Sequence, residues 1–182
     1  MADQSIKLGK QELEFLDDVA DGLANTDMLI TGTADSNRKI GFADLYAYAT
    51  NPHFTPDPAL VEALEGDVQL MSDFQRLLSN TAVIRMPQVA AASSGERTYR
   101  EADGCKIVFK ESRADPAQVF VIIELINKQA ALPMMMFICH PDDSCRRVIL
   151  GDSVDGRIQL LVDRDSHIVR GLSEVSTEVY LR

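Results

Sequence analysis

The chain has 182 residues, 46% of them hydrophobic and 25% charged, with a formal net charge of −10. That length supports one ordinary domain or two small ones, with a core that needs neither metal nor disulfide, and the hydrophobic content excludes disorder of the whole chain. Strong net acidity argues against a nucleic-acid partner, because a phosphate backbone would be repelled.

The charge is unevenly spread. Residues 1–92 hold 14 acidic and 6 basic side chains, and residues 93–182 hold 14 and 12. The resulting −8 and −2 serve solubility, and they also favour approach to a basic protein surface. Tryptophan is absent, so the core must rest on Leu, Ile, Val and Met. The first 22 residues have acidic side chains spaced through them and no apolar stretch of the kind a signal peptide carries. The longest apolar runs, Val119–Ile123 and Leu132–Cys139, fall far short of the roughly 20 residues of a membrane span. The expectation is a soluble cytoplasmic protein with no membrane association. Three cysteines, an odd number, suit a reducing compartment better than a disulfide framework.

Residues 10–24 place Leu13, Leu16, Ala20 and Leu23 at helical spacing, with Asp17, Asp18 and Asp21 on the other side. Residues 31–41 have a loop composition. A short helix is expected over Ala43–Ala49, broken by the three prolines between Asn51 and Pro58. Asp57-Pro58 reads as an N-cap followed by proline at the first helical position. From there Leu60, Leu64, Val68, Met71, Phe74 and Leu78 form an apolar stripe, which Gly66 splits into two helices with Asp67 capping the second. Asn80 is the expected stop.

Residues 87–96 are small and turn-forming and read as a linker between a helical region, 1–86, and a β-domain, 97–182. In the second half the period changes from 3.6 to 2. Strands are expected at Arg97–Ala102, Cys105–Ser112, Gln118–Ile126, Pro133–Cys139, Arg146–Leu150, Arg157–Val162, His167–Arg170 and Glu178–Leu181. Asp103-Gly104 and Asp155-Gly156 are hairpin turn signals. Val119–Ile126 is apolar on both faces and should be central. The fold class predicted is α+β: an N-terminal helical region followed by a mainly antiparallel β-sandwich or partly open barrel.

The chemistry-bearing residues form no strong motif. Cys139, His140 and Cys145 lie close in sequence, but the spacing is not the paired CxxC of a zinc site. The residues between the two cysteines have turn chemistry, so a hairpin with the cysteines flanking its turn is the expectation, and no metal or cofactor is assigned. Asp152–Gly156 lacks the ligand pattern of a calcium loop and reads as a turn. No P-loop, GxSxG or HExxH is present, so no catalytic residue is assigned, although scattered histidines and carboxylates could still assemble a site. Met134 and Met136 share one strand face and Met135 the other, a core-filling pattern. Tyr46, Tyr48, His53 and Phe54 are groove candidates beside the proline-rich turn. Asp17, Asp18, Asp21, Glu62, Glu65 and Asp73 are candidates for a partner-binding surface.

Leu45-Tyr46-Ala47-Tyr48-Ala49 followed by residues 58–78 resembles the short-helix and long-helix layout of bacterial anti-sigma factors, which often carry a C-terminal β-domain. The likeness covers roughly residues 43–80. The His and Cys residues of the zinc-binding subclass are missing, as is the transmembrane helix that commonly separates the two halves. The resemblance implies a regulator that works by binding another protein. The functional expectation is therefore a cytosolic, non-enzymatic regulatory or adaptor protein with a basic protein partner. The alternative is a module whose β-domain holds a small ligand, and an enzyme ranks third.

Overall fold

A computed structural model describes residues 39–88, 99–126, 132–142 and 144–182. The expected helix over 10–24 with Asp17, Asp18 and Asp21, most of the 31–41 loop and all but two residues of the 87–96 linker lie outside the described residues. Contacts divide the chain into residues 1–43 and 44–182. The described secondary structure belongs to the second unit, apart from the first two residues of its first helix.

Helix α1 spans Phe42–Thr50, α2 spans Pro58–Gly66 and α3 spans Val68–Thr81. The boundary between α2 and α3 is set by capping. The Asp57 carboxylate accepts from the amide of Ala59 and precedes Pro58, while the Asp67 carboxylate accepts from the amides of Gln69 and Leu70. Each cap satisfies donors that a helix start leaves without partners and is worth about 1 kcal/mol. Leu60, Leu64, Met71, Phe74, Leu77 and Leu78 are buried. Complete burial of a Leu or Phe side chain stabilises by roughly 1.5–3 kcal/mol.

Eight strands follow: β1 Ile84–Met86, β2 Tyr99–Ala102, β3 Cys105–Glu111, β4 Gln118–Leu125, β5 Met135–Cys139, β6 Cys145–Ile149, β7 Arg157–Asp163 and β8 Glu178–Leu181. They form two antiparallel sheets, one ordered β1-β8-β5-β6 and the other β2-β3-β4-β7. β4 is an inner strand, in keeping with its apolar faces. The Asp103-Gly104 turn joins β2 to β3, with Gly104 at φ 85°. Asp155 and Gly156 both have positive φ in the turn before β7, the combination a type I′ hairpin requires.

The two sheets share one core. Met86, Met136, Ile138, Val179 and Leu181 from the first sheet meet Ile107, Val121, Ile123 and Ile158 from the second. The sheets stay separate rather than closing into a barrel, which makes a sandwich. The other face of the first sheet is covered by helices: Tyr48 and Phe74 pack on Phe137 at ring separations of 5.8 and 5.7 Å. All five residues of β5 are consequently buried. Met135 and Met136 are buried on opposite faces as alternation requires, but Met134, expected to fill the core on the face of Met136, lies just before the strand and is exposed.

Two features depart from the sequence pattern. His167–Ser173 is helix α4, not a strand. The Ser166 hydroxyl caps it by accepting from Val169, and Ile168, Val169 and Leu172 turn a helical stripe to the core; a β-branched pair suggested extension, but the cap and the stripe decide. Strand β1 lies before residue 87 yet pairs with β8, with Arg85 opposite Tyr180. At three residues it is too short to show a period.

Candidate functional site

Strand register sets a row across the helix-facing side of the first sheet. Arg85 on β1 lies opposite Tyr180 on β8, Tyr180 opposite Phe137 on β5, and Phe137 opposite Arg147 on β6. Helices fill the centre of this row, where Tyr48 and Phe74 meet Phe137. Beside it, between α3 and the β1–β8 side of the sheet, lies a cleft of about 390 Å³. Helix α3 contributes Ser72, Gln75, Arg76 and Ser79 to its wall. Arg85 and Gln88 come from β1 and the residues after it, Glu178 and Tyr180 from β8, and Cys139, His140 and Pro141 from the end of β5.

The charges in the cleft are held in pairs. Arg85 reaches the Glu178 carboxylate at 3.3 Å and lies 5.8 Å from the Tyr180 ring centroid. The Tyr180 hydroxyl donates to the same carboxylate. Burial, and next the hydrogen bond with Glu178, push the Tyr180 phenol above its ordinary pKa. On the helix wall Arg76 bonds Asp73 at 2.8 Å. These ion pairs are substantially exposed, so each adds only about 0–1 kcal/mol. Their consequence is orientation: guanidinium, carboxylate, amide and hydroxyl groups are presented together at a solvent-open surface.

His140 stands at the cleft margin with Nδ1 3.3 Å from Glu174 Oε2. Cys139, His140 and Glu174 are the residue types of a thiol–imidazole–carboxylate triad, but Cys139 is bonded to Cys145. This corrects the expectation of reduced thiols. The cysteines flank the hairpin turn as the sequence predicts, and they face each other with Cα atoms 4.0 Å apart. His140 donates to Ser144 across the turn, so the next pair outward is the close, non-hydrogen-bonded kind. The third cysteine, Cys105, is buried, and desolvation pushes its thiol up to about 12. A thiol held protonated is a poor nucleophile. Among the described residues no cluster of three or more His, Cys, Asp or Glu is placed to hold a metal ion. The arrangement is suited to binding by hydrogen bonds and charge.

The residues singled out from the sequence are dispersed. Asp17, Asp18 and Asp21 lie outside the described residues. Glu62 and Glu65 are exposed on α2, and Glu65 comes within 3.9 Å of Arg146. Asp73 is half-exposed on α3, paired with the cleft-wall residue Arg76. Tyr46 and His53 are exposed, Phe54 is half-buried and Tyr48 belongs to the aromatic core. Arg147 ties this region together by donating to the carbonyls of Asn51, Pro52 and Phe54. The cleft pair Arg85–Glu178 and the clamp Arg147 were not foreseen. Their partners are 93 or more residues away, and no local spacing announces such contacts.

Comparison of the chain with protein-family models, with curated proteins and with solved structures finds no match among any of them.

Proposed function

We propose that this chain is a non-enzymatic regulatory or adaptor module that binds a protein with a basic surface, using the helical layer and the adjoining polar cleft. The observation that carries this reading is the placement of Glu62, Glu65 and Asp73. All three stand off the buried side chains of Leu60, Leu64, Met71, Phe74 and Leu78, with Asp73 paired to Arg76 of the cleft wall; Val68, expected in that stripe, is exposed. A surface of this kind raises the local negative potential and speeds encounter with a positive partner. The bonded state of Cys139 supports binding over catalysis at the cleft, since it removes the one thiol beside the His140–Glu174 pair. No helix among the described residues is long and apolar enough to cross a membrane. Cytoplasmic residence belongs to the same proposal and requires that the fold tolerate reduction of its disulfide.

The test begins with the full-length chain as bait and a partner identified by pull-down. Replacing Glu62 and Glu65 by Gln and Asp73 by Asn should slow association several-fold at low salt, and less at physiological salt, where the Debye length is about 8 Å. An unchanged association rate at low salt removes the helical surface from the interface. The same experiment with Asp17, Asp18 and Asp21 changed to Asn decides whether residues 1–43 share in it.

A second reading rests on the cleft alone. Its volume falls within the range of small-molecule sites, but its lining is polar where such sites are mainly apolar. A small polar ligand there would stabilise the protein against heat with no partner present, and Glu178→Gln would abolish that stabilisation.

A further inference from the structure

The outer face of the second sheet carries apolar and charged side chains that no described helix covers. Register puts two rows of side chains on it. One runs Tyr99, Val108, Ile122 and Gln159 across β2, β3, β4 and β7. The other runs Glu101, Lys106, Glu124 and Arg157 across the same strands. Lys110, Phe120 and Leu161 lie in a further row across β3, β4 and β7. Tyr99 and Leu161 are each 51% exposed, and Val108, Phe120 and Ile122 are half-buried. In the charged row Lys106 lies 4.0 Å from Glu101 and Arg157 3.1 Å from Glu124 within one chain. The side chains of Glu101, Lys106, Glu124 and Arg157 remain 54, 39, 37 and 68% exposed, so a second copy extends these pairs into a four-charge network rather than supplying first partners.

The order of charge along that row is acid, base, acid, base, and it is complementary to its own reverse. A two-fold axis lying between two facing copies and parallel to the strands keeps every row in place and reverses its strand order. Glu101 then meets Arg157 of the second copy and Lys106 meets Glu124, with both pairs repeated by symmetry. In the apolar row Val108 meets Ile122 across the same axis. Facing sheets pack with their strands rotated by about 30°, so pairs nearest the axis align best, and the outermost pair is long enough to bridge the divergence. On a chain of net charge −10 this face is balanced: Glu101, Glu124 and Asp163 against Lys106, Lys110 and Arg157. A second copy meets no net repulsion here, as it would over the acidic helical surface.

We infer that this sheet face is an isologous dimer interface, and that its partner is a second copy of the same chain. Self-complementary patches of this kind are what two-fold symmetry requires. The face spans four short strands, which places the interface at the small end of the range for specific association. The dimer is therefore concentration-dependent and salt-sensitive.

Sedimentation equilibrium on the full chain tests this with designed charge variants. One variant carries Lys106→Glu with Arg157→Glu and has an all-acidic row. The other carries Glu101→Lys with Glu124→Lys and has an all-basic row. Glu101 and Arg157 are exposed and Lys106 and Glu124 half-exposed, and circular dichroism checks that each variant folds. The wild type is expected to approach the mass of two chains as concentration rises. Each variant alone should stay monomeric, and an equimolar mixture should form a one-to-one dimer. A wild type that remains monomeric up to about 1 mM, the scale of the weakest specific associations, overturns the inference. So do variants that self-associate as well as the wild type, or a mixture that does not pair. Should either charge variant misfold, Tyr99→Glu carries the test: Tyr99 is half-exposed, lies outside the charged row and comes opposite Gln159 of the second copy across the axis, and the change should weaken dimerisation at least ~10-fold. An unchanged dimerisation constant would refute the interface.

Discussion

Arg147 lays its guanidinium over the Tyr48 ring, 5.1 Å from the centroid, while donating to the carbonyls of Asn51, Pro52 and Phe54. One side chain of β6 thus holds the segment between α1 and α2 against the aromatic cluster of Tyr48, Phe74 and Phe137. Burial of the guanidinium lowers its pKa from the ordinary value, which marks an environment where a charge must find partners. Charge-assisted bonds contribute about 1.5–3 kcal/mol each when buried, and a cation–π contact about 0.5–2 kcal/mol. Arg147 is only partly buried and water can replace some of its bonds, so Arg147→Ala should cost about 2 kcal/mol in urea unfolding. Arg147→Lys keeps the charge over the ring but loses the planar fork, and it should fall between. An unchanged midpoint for Arg147→Ala would show that the clamp contributes nothing.

Reduction should weaken the fold without abolishing it. The Cys139–Cys145 bridge closes a short loop, with a sequence separation of 6. Chain-entropy reasoning assigns so short a loop about 2 kcal/mol. Unfolding in dithiothreitol should show a loss of that order, and Cys139→Ser with Cys145→Ser should match it with or without reductant. Thiol titration of the denatured chain should count one free thiol before reduction and three after it. Three thiols in protein purified without reductant would rule out the bridge in solution.

Alkaline pH is predicted to destabilise the protein from about pH 9 upward. Desolvation raises the Cys105 thiol from 9.0 to about 12, and it raises the Tyr48 and Tyr180 phenols above 10.0. The folded state holds these protons more tightly than the unfolded chain. Stability is therefore complete below the unfolded values and declines as pH passes through 9.0, then 10.0, towards the folded values. Urea midpoints measured from pH 8 to 11.5 should fall, and Cys105→Ala should flatten the first part of the decline. A midpoint independent of pH across that range would contradict the burial of Cys105.

The parts of this fold legible in the sequence are those decided within a few residues. Asp57 and Asp67 announce two helix starts because a carboxylate two or three residues before free amides has an evident use. Gly104, and Asp155 with Gly156, announce turns because those positions need positive φ. The cysteine hairpin was equally local, but whether its thiols bond depends on register, which spacing alone does not set. The cleft was invisible for a stronger reason. Arg85 and Glu178 meet only because β1, a strand too short to display a period, adds to the sheet edge beside β8. His167–Arg170 misled because Ile168 and Val169 favour extension intrinsically, while the Ser166 cap and burial of Leu172 favour a helix. Tertiary contact outweighed local preference there.

Gly171 provides a last test, in which two ordinary rules give opposite signs. It lies within α4, and replacing a helical glycine by alanine ordinarily stabilises by about 1 kcal/mol, through backbone entropy. Here an added Cβ would stand 2.6 Å from Cγ2 of Ile138 and 3.1 Å from Nε2 of His140. Ile138 is fully buried between the sheets, so its methyl cannot swing away without disturbing the core. His140 is held towards Glu174 on its other side. Overpacking of this kind costs about 1–3 kcal/mol, which exceeds the propensity gain. Gly171→Ala should therefore destabilise the protein by about 1 kcal/mol net in urea unfolding. The double variant Gly171→Ala with Ile138→Ala removes the Cγ2 methyl that the new Cβ would meet and should cost less than the sum of the two single variants, Ile138→Ala alone being destabilising by about 2–5 kcal/mol. That non-additivity is the signature of direct contact. If Gly171→Ala raised stability as it would in an open helix, α4 would not lie as close to β5 as this packing requires.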